Sequence, residues 1–515
     1  MMRQLRPLGL LRRERITWPK AFAQRQSGWP VAFAFAALWA LLPALPALAR
    51  GELLGSPFTD LYPSVWGLAW FAGQQPGFPT TTSALAAPGG MPFYFSSPLH
   101  GWAGTFPFWL GGAAFAYNLT LLAARFATVA VSFGCFRAGG LGVAGALAAA
   151  GVYGASPYFH GYAVEGIVEG TDGWALPLWA WTVLRRERAA SVAAFALVVI
   201  SSWYLGMAAC LLALLWGFRE RLAWLSLGGG LLLSSPFLLL FVGGFSAAEP
   251  LPAEIRGAMG VPLDLALPGV LPGLNPFAIT TFVGLSTVLL AARGFRERPW
   301  LLVGAALCAL LSLGRGPWYE LPVLEAVRFP YRWHAGTLFC LAPLVGLAVD
   351  RIGKSWLAFV PVIEGLLLSR IEPVIPGAPS DVPAIYDAVR GPVLLEVPGP
   401  VSMPPGEINR SRPRARYLLY YQAFHGAASP WAPDFNGVAA TLPAPWLESF
   451  ASWDPLMKRT GVTPDLAGAR EAGVTQILVH RDELGGNADA LENALREAGA
   501  QQEAREGDLL LFRLP

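Results

Sequence analysis

Charge is scarce in this chain. Only 14% of its 515 residues are Asp, Glu, Lys or Arg, where a soluble chain carries about a quarter. Lysine is nearly missing: Lys20, Lys354 and Lys458 are the only ones among 37 basic residues. Four cysteines, Cys135, Cys210, Cys308 and Cys340, all fall in apolar stretches without a CxxC pair, which argues against a disulfide framework and against a zinc site. No HExxH pair, phosphate-loop motif, dinucleotide-binding glycine signature or nucleophile elbow occurs. The basic residues lie at helix ends and not in a patch, so no nucleic-acid partner is expected. What is abundant is apolar: 54% of the residues are hydrophobic and the mean hydropathy is +0.46. The chain reads as an integral membrane protein.

A spanning helix needs about 20 apolar residues. The runs 29–49, 108–136, 139–157, 170–184, 189–203, 204–218, 222–242, 276–293, 299–314, 333–349 and 355–370 predict a polytopic α-helical membrane protein of about eleven helices. The stretch 29–49 ends in Ala-Leu-Pro-Ala-Leu-Ala but exceeds a signal-peptide core, so it reads as an uncleaved first helix. Basic clusters at 3–25, Arg137, Arg185/Arg186/Arg188, Arg219/Arg221, Arg293/Arg296/Arg298 and Arg351/Lys354 then fall in every second loop. Positive loops resist translocation, so this parity predicts a cytoplasmic N-terminus and an outer C-terminus. The parity requires the run 189–218 to be two short helices, broken near Trp203-Tyr204-Leu205-Gly206.

Three divisions follow: a basic cytoplasmic segment 1–28, a transmembrane domain 29–370 with a long first outer loop 50–107, and an outer domain 371–515. The aromatics of the first loop, among them Trp66, Trp70, Phe78, Phe93, Tyr94, Phe95, Trp102 and Phe106, suit a segment lying along the membrane interface. In the outer domain Val393–Val397, Arg416–Gln422, Ile477–His480 and Leu509–Leu514 have strand length. Val382–Val389 and Ala488–Ala498 have helical spacing. Strands alternating with helices predict a small α/β domain.

Three sets of polar residues on the outer side could carry chemistry. Asp60 lies in Gly55-Ser-Pro-Phe-Thr-Asp-Leu-Tyr-Pro63, just beyond the first helix. Its carboxylate is placed to act as a general base on an acceptor hydroxyl, or to cap a helix starting at Leu61. The run 158–172 holds His160, Glu165, Glu169 and Asp172. Glu165 and Glu169 would share one face if the segment is helical. Two carboxylates and a histidine could hold a divalent cation, or simply form a solvated loop. Arg328 and Arg332 sit in Glu325-Ala-Val-Arg-Phe-Pro-Tyr-Arg-Trp-His334, on the outer side against the charge trend. A guanidinium matches phosphate oxygens bidentately; pairing with Glu320 or Glu325, or snorkelling to headgroups, would also account for them. Arg125, inside an apolar run, is expected to face the bundle interior. His100 reads as structural.

These pieces together resemble the GT-C fold of integral-membrane glycosyltransferases, a group that includes protein O-mannosyltransferases and the aminoarabinose transferase of lipid A. The resemblance is nearest to YfhO-like bacterial membrane proteins. It is carried by Ala116-Tyr-Asn-Leu119, Trp174-Ala-Leu-Pro177-Leu178, Ser202-Trp-Tyr-Leu-Gly206 and Arg328-Phe-Pro-Tyr-Arg332. It implies a bacterial plasma-membrane enzyme that moves a sugar from a polyprenyl phosphate donor to an envelope glycan, lipid or protein on the periplasmic face. It also implies a catalytic role for Asp60, acceptor or metal binding by His160, Glu165, Glu169 and Asp172, and donor-phosphate binding by Arg328 and Arg332. The chain departs from many protein mannosyltransferases in having no Asp-Glu pair at Asp60. A transporter would instead place ionisable residues at mid-membrane and show inverted repeats. A non-catalytic scaffold with a partner-binding outer domain would tolerate any residue at position 60.

Overall fold

The computed structural model describes residues 28–74, 81–92, 98–245, 280–325, 327–399, 412–432, 444–457 and 461–515. The basic segment 1–27, the loop aromatics Phe78, Phe93, Tyr94 and Phe95, residues 276–279 of one expected span and nearly all of the excursion 243–275 lie outside them.

The described helices, numbered here in chain order, are α1 Trp29–Leu41, α2 Leu61–Gly73, α3 Pro98–Ala138, α4 Val143–Gly154, α5 Pro157–Glu165, α6 Ala175–Leu184, α7 Arg188–Ser201, α8 Trp203–Gly217, α9 Arg221–Phe245, α10 Leu285–Gly294, α11 Pro299–Ser312, α12 His334–Ile352, α13 Val360–Leu368, α14 Arg412–His425 and α15 Ala488–Glu497. Shorter turns join them. Among the described residues, four helical stretches are long and apolar enough to cross a membrane: Trp29–Ala49, Pro98–Ala138, Arg221–Leu240 and Pro330–Ile352. The helices α7, α8 and α11 are apolar but shorter. The protein is a helical membrane protein.

Local chemistry explains the interruptions. The apolar run 189–218 breaks at Ser202, whose backbone is extended (φ −161°, ψ 123°) between α7 and α8. The helix α3 has 41 residues, about 60 Å at 1.5 Å per residue, twice the hydrocarbon thickness of about 30 Å. It bends at Gly112 (φ 77°, ψ −175°), a conformation that glycine adopts without a Cβ clash. The segment before the bend exposes Trp102, Phe106, Trp109 and Leu110. Such a row is stable against lipid at the interface. Helices α4 and α12 meet through small residues. A Cβ on Gly346 would stand 2.6 Å from the Gly145 carbonyl oxygen, so only glycine lets the backbones approach this closely.

Beyond the bundle lies a four-stranded sheet of β5 Val393–Val397, β6 Val474–His480, β7 Gln501–Glu506 and β8 Leu509–Arg513, in the order β5-β6-β8-β7. β5 and β6 are parallel; β8 runs antiparallel to both its neighbours. Alternate residues serve opposite faces. Leu395, Ile477, Val479, Leu510 and Phe512 pack with α15 on one side, and Leu394, Leu478 and Leu511 pack with Ile385 and Tyr386 on the other. The run Arg416–Gln422, expected as a strand, is instead part of α14. Its Leu418, Leu419 and Tyr420 are consecutive and all buried, against α2 and the loop before β5. Packing on two sides overrides the β-propensity of an aromatic-rich run. A short antiparallel pair, β1 Leu53–Leu54 with β4 Gly377–Ala378, ties the loop after the first helix to the chain leaving α13, and a second, β2 Thr81–Thr82 with β3 Met91–Pro92, lies within that loop.

Candidate active site

Asp60 stands at the exposed start of α2, and the loop that leads to it is held tightly. Asn118 of α3 accepts from the Leu54 amide (2.9 Å) and donates to the Glu52 carbonyl (3.0 Å). The neighbouring Tyr117 hydroxyl contacts the carbonyl oxygens of Leu54 (2.9 Å) and Gly166 (3.1 Å). The Gly55 amide donates to the Pro376 carbonyl, and the Ser56 amide to that of Val164, both at 2.8 Å. Thr59 closes the turn by donating to the Glu165 carbonyl. Gly55 lies at φ 126°, and a Cβ there would sit 2.6 Å from the Gly166 Cα. The loop therefore rests directly on the C-terminal turn of α5. Asp60 occupies the N-cap position of α2, but its side chain makes no capping bond. Capping is thus not the task of this carboxylate.

The acidic run 158–172 divides into parts. α5 begins with Ser156, whose hydroxyl accepts from the Phe159 amide at 3.4 Å. It ends at Gly166 in the left-handed region (φ 69°). Glu169 follows in a separate short turn, Val168–Gly170, so Glu165 and Glu169 do not share a helical face as expected. The signal missed was Gly166, a residue that commonly terminates helices in this conformation.

Glu169 ion-pairs with Arg332, and both are largely buried. The carboxylate that Arg332 pairs with is thus Glu169, and not Glu320 or Glu325. The guanidinium carbon also lies 4.4 Å from the ring centre of Tyr204, 5.0 Å from Phe329 and 5.8 Å from Tyr162. A cation gains several tenths to about 2 kcal/mol over each such face. The Tyr158 hydroxyl donates to the Arg332 carbonyl and meets the Tyr162 hydroxyl, both at 3.2 Å. Next to Arg332, the Tyr331 phenol lies within the electrostatic reach of Arg332, Glu169 and Asp60. Glu169 and Arg332 thus border one aromatic box, and Asp60 is near enough to act electrostatically on its Tyr331. Arg328 is half-buried at its edge, 5.9 Å from the Phe329 ring centre. Tyr162, Tyr204 and Tyr331 were not singled out from the sequence; the periodicity gives no reason to prefer them over other apolar-run tyrosines.

His160 and Asp172 serve elsewhere. The His160 Nε2 donates to the Glu372 carbonyl (2.8 Å), and its Nδ1 accepts from Arg125 (3.2 Å). A carbonyl only accepts and a guanidinium only donates, so these two bonds select one neutral tautomer. Burial, reinforced by the Arg125 charge, pushes the His160 pKa down to about 3. Arg125 faces the interior as expected, also donating to the Trp39 carbonyl at 2.9 Å. Asp172 is buried against His100, Nδ1 to Oδ2 at 3.1 Å, and accepts from the Trp174 indole at 3.1 Å. Among the described residues no three His, Cys, Asp or Glu side chains converge on a possible metal position. With guanidinium groups against His160 and Glu169, the four residues of the run do not fit a shared divalent cation.

The chain shares the fold of solved GT-C membrane glycosyltransferases. The arabinofuranosyltransferase AftD from Mycobacteria shares it over 94% of this chain, with a TM-score of 0.60 and 16% identity. ArnT from Cupriavidus metallidurans, solved bound to undecaprenyl phosphate, shares it over 95% of this chain and 98% of its own, with a TM-score of 0.55 and 14% identity. The oligosaccharyltransferase of Archaeoglobus fulgidus, solved with zinc and sulfate, matches over 94% of this chain and 72% of its own, with a TM-score of 0.50 and 12% identity. The match to AftD covers 39% of that protein's length. No protein-family model matches the chain, and no curated protein sequence matches it.

Proposed function

We propose that the protein is a membrane glycosyltransferase that moves a sugar from a polyprenyl phosphate donor to a glycan, lipid or protein of the bacterial cell envelope. The observation that supports this most is an exposed Asp60 on a firmly held loop, within electrostatic reach of Tyr331 in the aromatic box of Arg332. Asp60 takes the proton of the acceptor hydroxyl as that oxygen attacks the anomeric carbon. Arg332, helped by Arg328, faces the phosphate that leaves with the negative charge; a fixed cation acts most strongly where charge develops. In this reading the phosphate shares or replaces Glu169 on Arg332. His160 and Asp172 brace the surrounding backbone, and Glu165, whose carbonyl accepts from Thr59, anchors the Asp60 loop on the acceptor side.

The helices α4, α6, α7, α8, α10, α11 and α13 join the four long stretches to make about eleven crossings, with the arginine-rich loops in the cytoplasm and the sheet in the periplasm of a plasma membrane. The four short segments that resemble YfhO-like proteins include Tyr117–Asn118 and Tyr204, which hold the Asp60 loop and the Arg332 box. This supports placing the protein near that group.

The test is sugar transfer in purified membranes supplied with a panel of labelled polyprenyl phosphate sugars. Asp60→Asn is expected to lower turnover roughly 10²- to 10⁴-fold, the range for a general base, at unchanged expression. Equal turnover of variant and wild type would remove Asp60 from the mechanism.

A further inference from the structure

A cavity that the proposed transfer reaction does not use runs from the middle of α12, at Phe339, Cys340 and Pro343, to Gly139 and Arg298 at the arginine-rich end of the bundle. Its volume is about 60 Å³, room for roughly four waters at 10–15 Å³ each. Water is nonetheless disfavoured there, because the walls are almost wholly apolar: Trp179, Trp216, Trp300, Phe136 and Phe339 dominate them. The three tryptophans form one continuous wall. Trp179 meets Trp216 edge-on at 5.8 Å, and Trp216 stacks on Trp300 at 6.1 Å.

The mouth of this cavity is cationic. Arg298 lines it and is anchored by donating to the Gly139 carbonyl at 2.8 Å. Arg219 lies over the Trp300 ring, 5.9 Å from its centre. Acids near this end are already engaged: Glu187 by Arg185, Glu220 by Arg186 and Glu297 by Arg351. Asp350 accepts from the amides of Gly142 and Gly145. Among the described residues neither Arg219 nor Arg298 pairs with a carboxylate. A tryptophan-walled apolar slot under two such cations is complementary to one class of molecule, an apolar chain that ends in an anionic headgroup.

We propose that this cavity is a binding site for an anionic phospholipid of the surrounding leaflet, with an acyl-chain segment between Trp179, Trp216 and Phe339 and the phosphate on Arg219 and Arg298. The occupant is a bilayer lipid and not the sugar donor, because its phosphate would sit at Arg298, next to Glu297, which pairs with Arg351 in the last turn of α12, whereas Arg332 precedes the first turn of that helix.

Binding can be read by native mass spectrometry of the full chain in detergent, titrated with dioleoylphosphatidylglycerol. Saturable binding is expected, at least tenfold tighter than that of dioleoylphosphatidylcholine and unaffected by inorganic phosphate. The exposed Arg219→Glu, which touches only the face of Trp300, is expected to weaken it about fivefold or more. Arg219→Glu with Arg298→Gln should weaken it roughly 30-fold, following the contribution of each arginine near an anionic headgroup. Ala180→Leu, which fills the slot, should weaken both lipids alike. Equal affinity for the two lipids, or affinity unchanged by Arg219→Glu, would overturn the site. Displacement by undecaprenyl phosphate with the same dependence on Arg219 would assign the slot to isoprenoid phosphates and overturn the phospholipid reading.

Discussion

At the scale of single residues, the charges of this protein are informative because there are so few of them. Arg332 and Glu169 form a pair whose side chains are 6% and 16% exposed. Removing one member of such a pair leaves a charge with no compensation, which costs about 3–5 kcal/mol, whereas removing both is far milder. Glu169→Gln and Arg332→Gln are each expected to lower the melting temperature of the detergent-purified protein substantially. The double variant should recover most of the loss. Additive losses would show that the two side chains do not act as a pair. His160 predicts a pH effect whose sign follows from its surroundings. The folded state holds the imidazole neutral, with its pKa pushed down to about 3 from an ordinary 6.5. The unfolded chain therefore binds the proton first as pH falls. The stabilisation is complete above pH 6.5 and is lost on descending from there toward pH 3, amounting to about 2 kcal/mol at pH 5. Thermal melts at pH 7.5 and pH 5 should show a larger drop for wild type than for His160→Gln. A drop of the same size in both would assign the acid sensitivity to other groups.

At the scale of elements, the proposed transfer depends on how the Asp60 loop is seated. The loop is joined to α3 by Tyr117 and Asn118, to α5 by Thr59 and Ser56, and to the chain beyond α13 by Gly55. Gly55→Ala would bring a Cβ within 2.6 Å of the Gly166 Cα at a φ of 126° that L-residues rarely adopt. The loop must lift to admit it. Transfer activity is expected to fall at least tenfold while the helical circular dichroism of the bundle is retained, because the strain is confined to the loop. Full activity of Gly55→Ala would show that Asp60 tolerates displacement. Elements also show where local sequence misleads. The strand β7, Gln501–Glu506, carries no apolar alternation at all. It forms because β8 presents an open edge to it, and polar side chains suit an outermost strand. The turn Val168–Gly170 and the break after Glu165 were likewise invisible to i,i+4 spacing, which assumes that the helix continues.

At the scale of the whole molecule, the proposed orientation makes a plain prediction. A reporter fused after Arg221 should read cytoplasmic, and one fused after Leu514 periplasmic. A cytoplasmic reading at Leu514 would put the sheet on the wrong side for a donor that is used on the outer face. The long axis has a chemical polarity. Acid, arginine and tyrosine side chains gather at the sheet-bearing end of α12, and cations with tryptophans gather at the other. Both ends use aromatic faces to hold guanidinium groups at low cost to side-chain freedom.

Membrane character, the run of apolar helices, the need for a break in 189–218 and the candidacy of Asp60 and Arg332 were all legible in the sequence. Each depends on composition, on charge parity or on a residue type that is costly where it lies. Strands β5, β6 and β8 were legible for a similar reason, since short apolar runs bounded by turns have few other solutions. Only the tertiary structure decided which partner each charge would take. Glu169 reaches Arg332 across 163 residues, and Arg125 reaches His160 across 35. No spacing rule covers pairs that are set by how helices cross. The aromatic box has the same origin: Tyr162, Tyr204 and Tyr331 come from three separate segments. In an apolar chain the pattern says which residues are buried, but packing alone chooses the ones that meet.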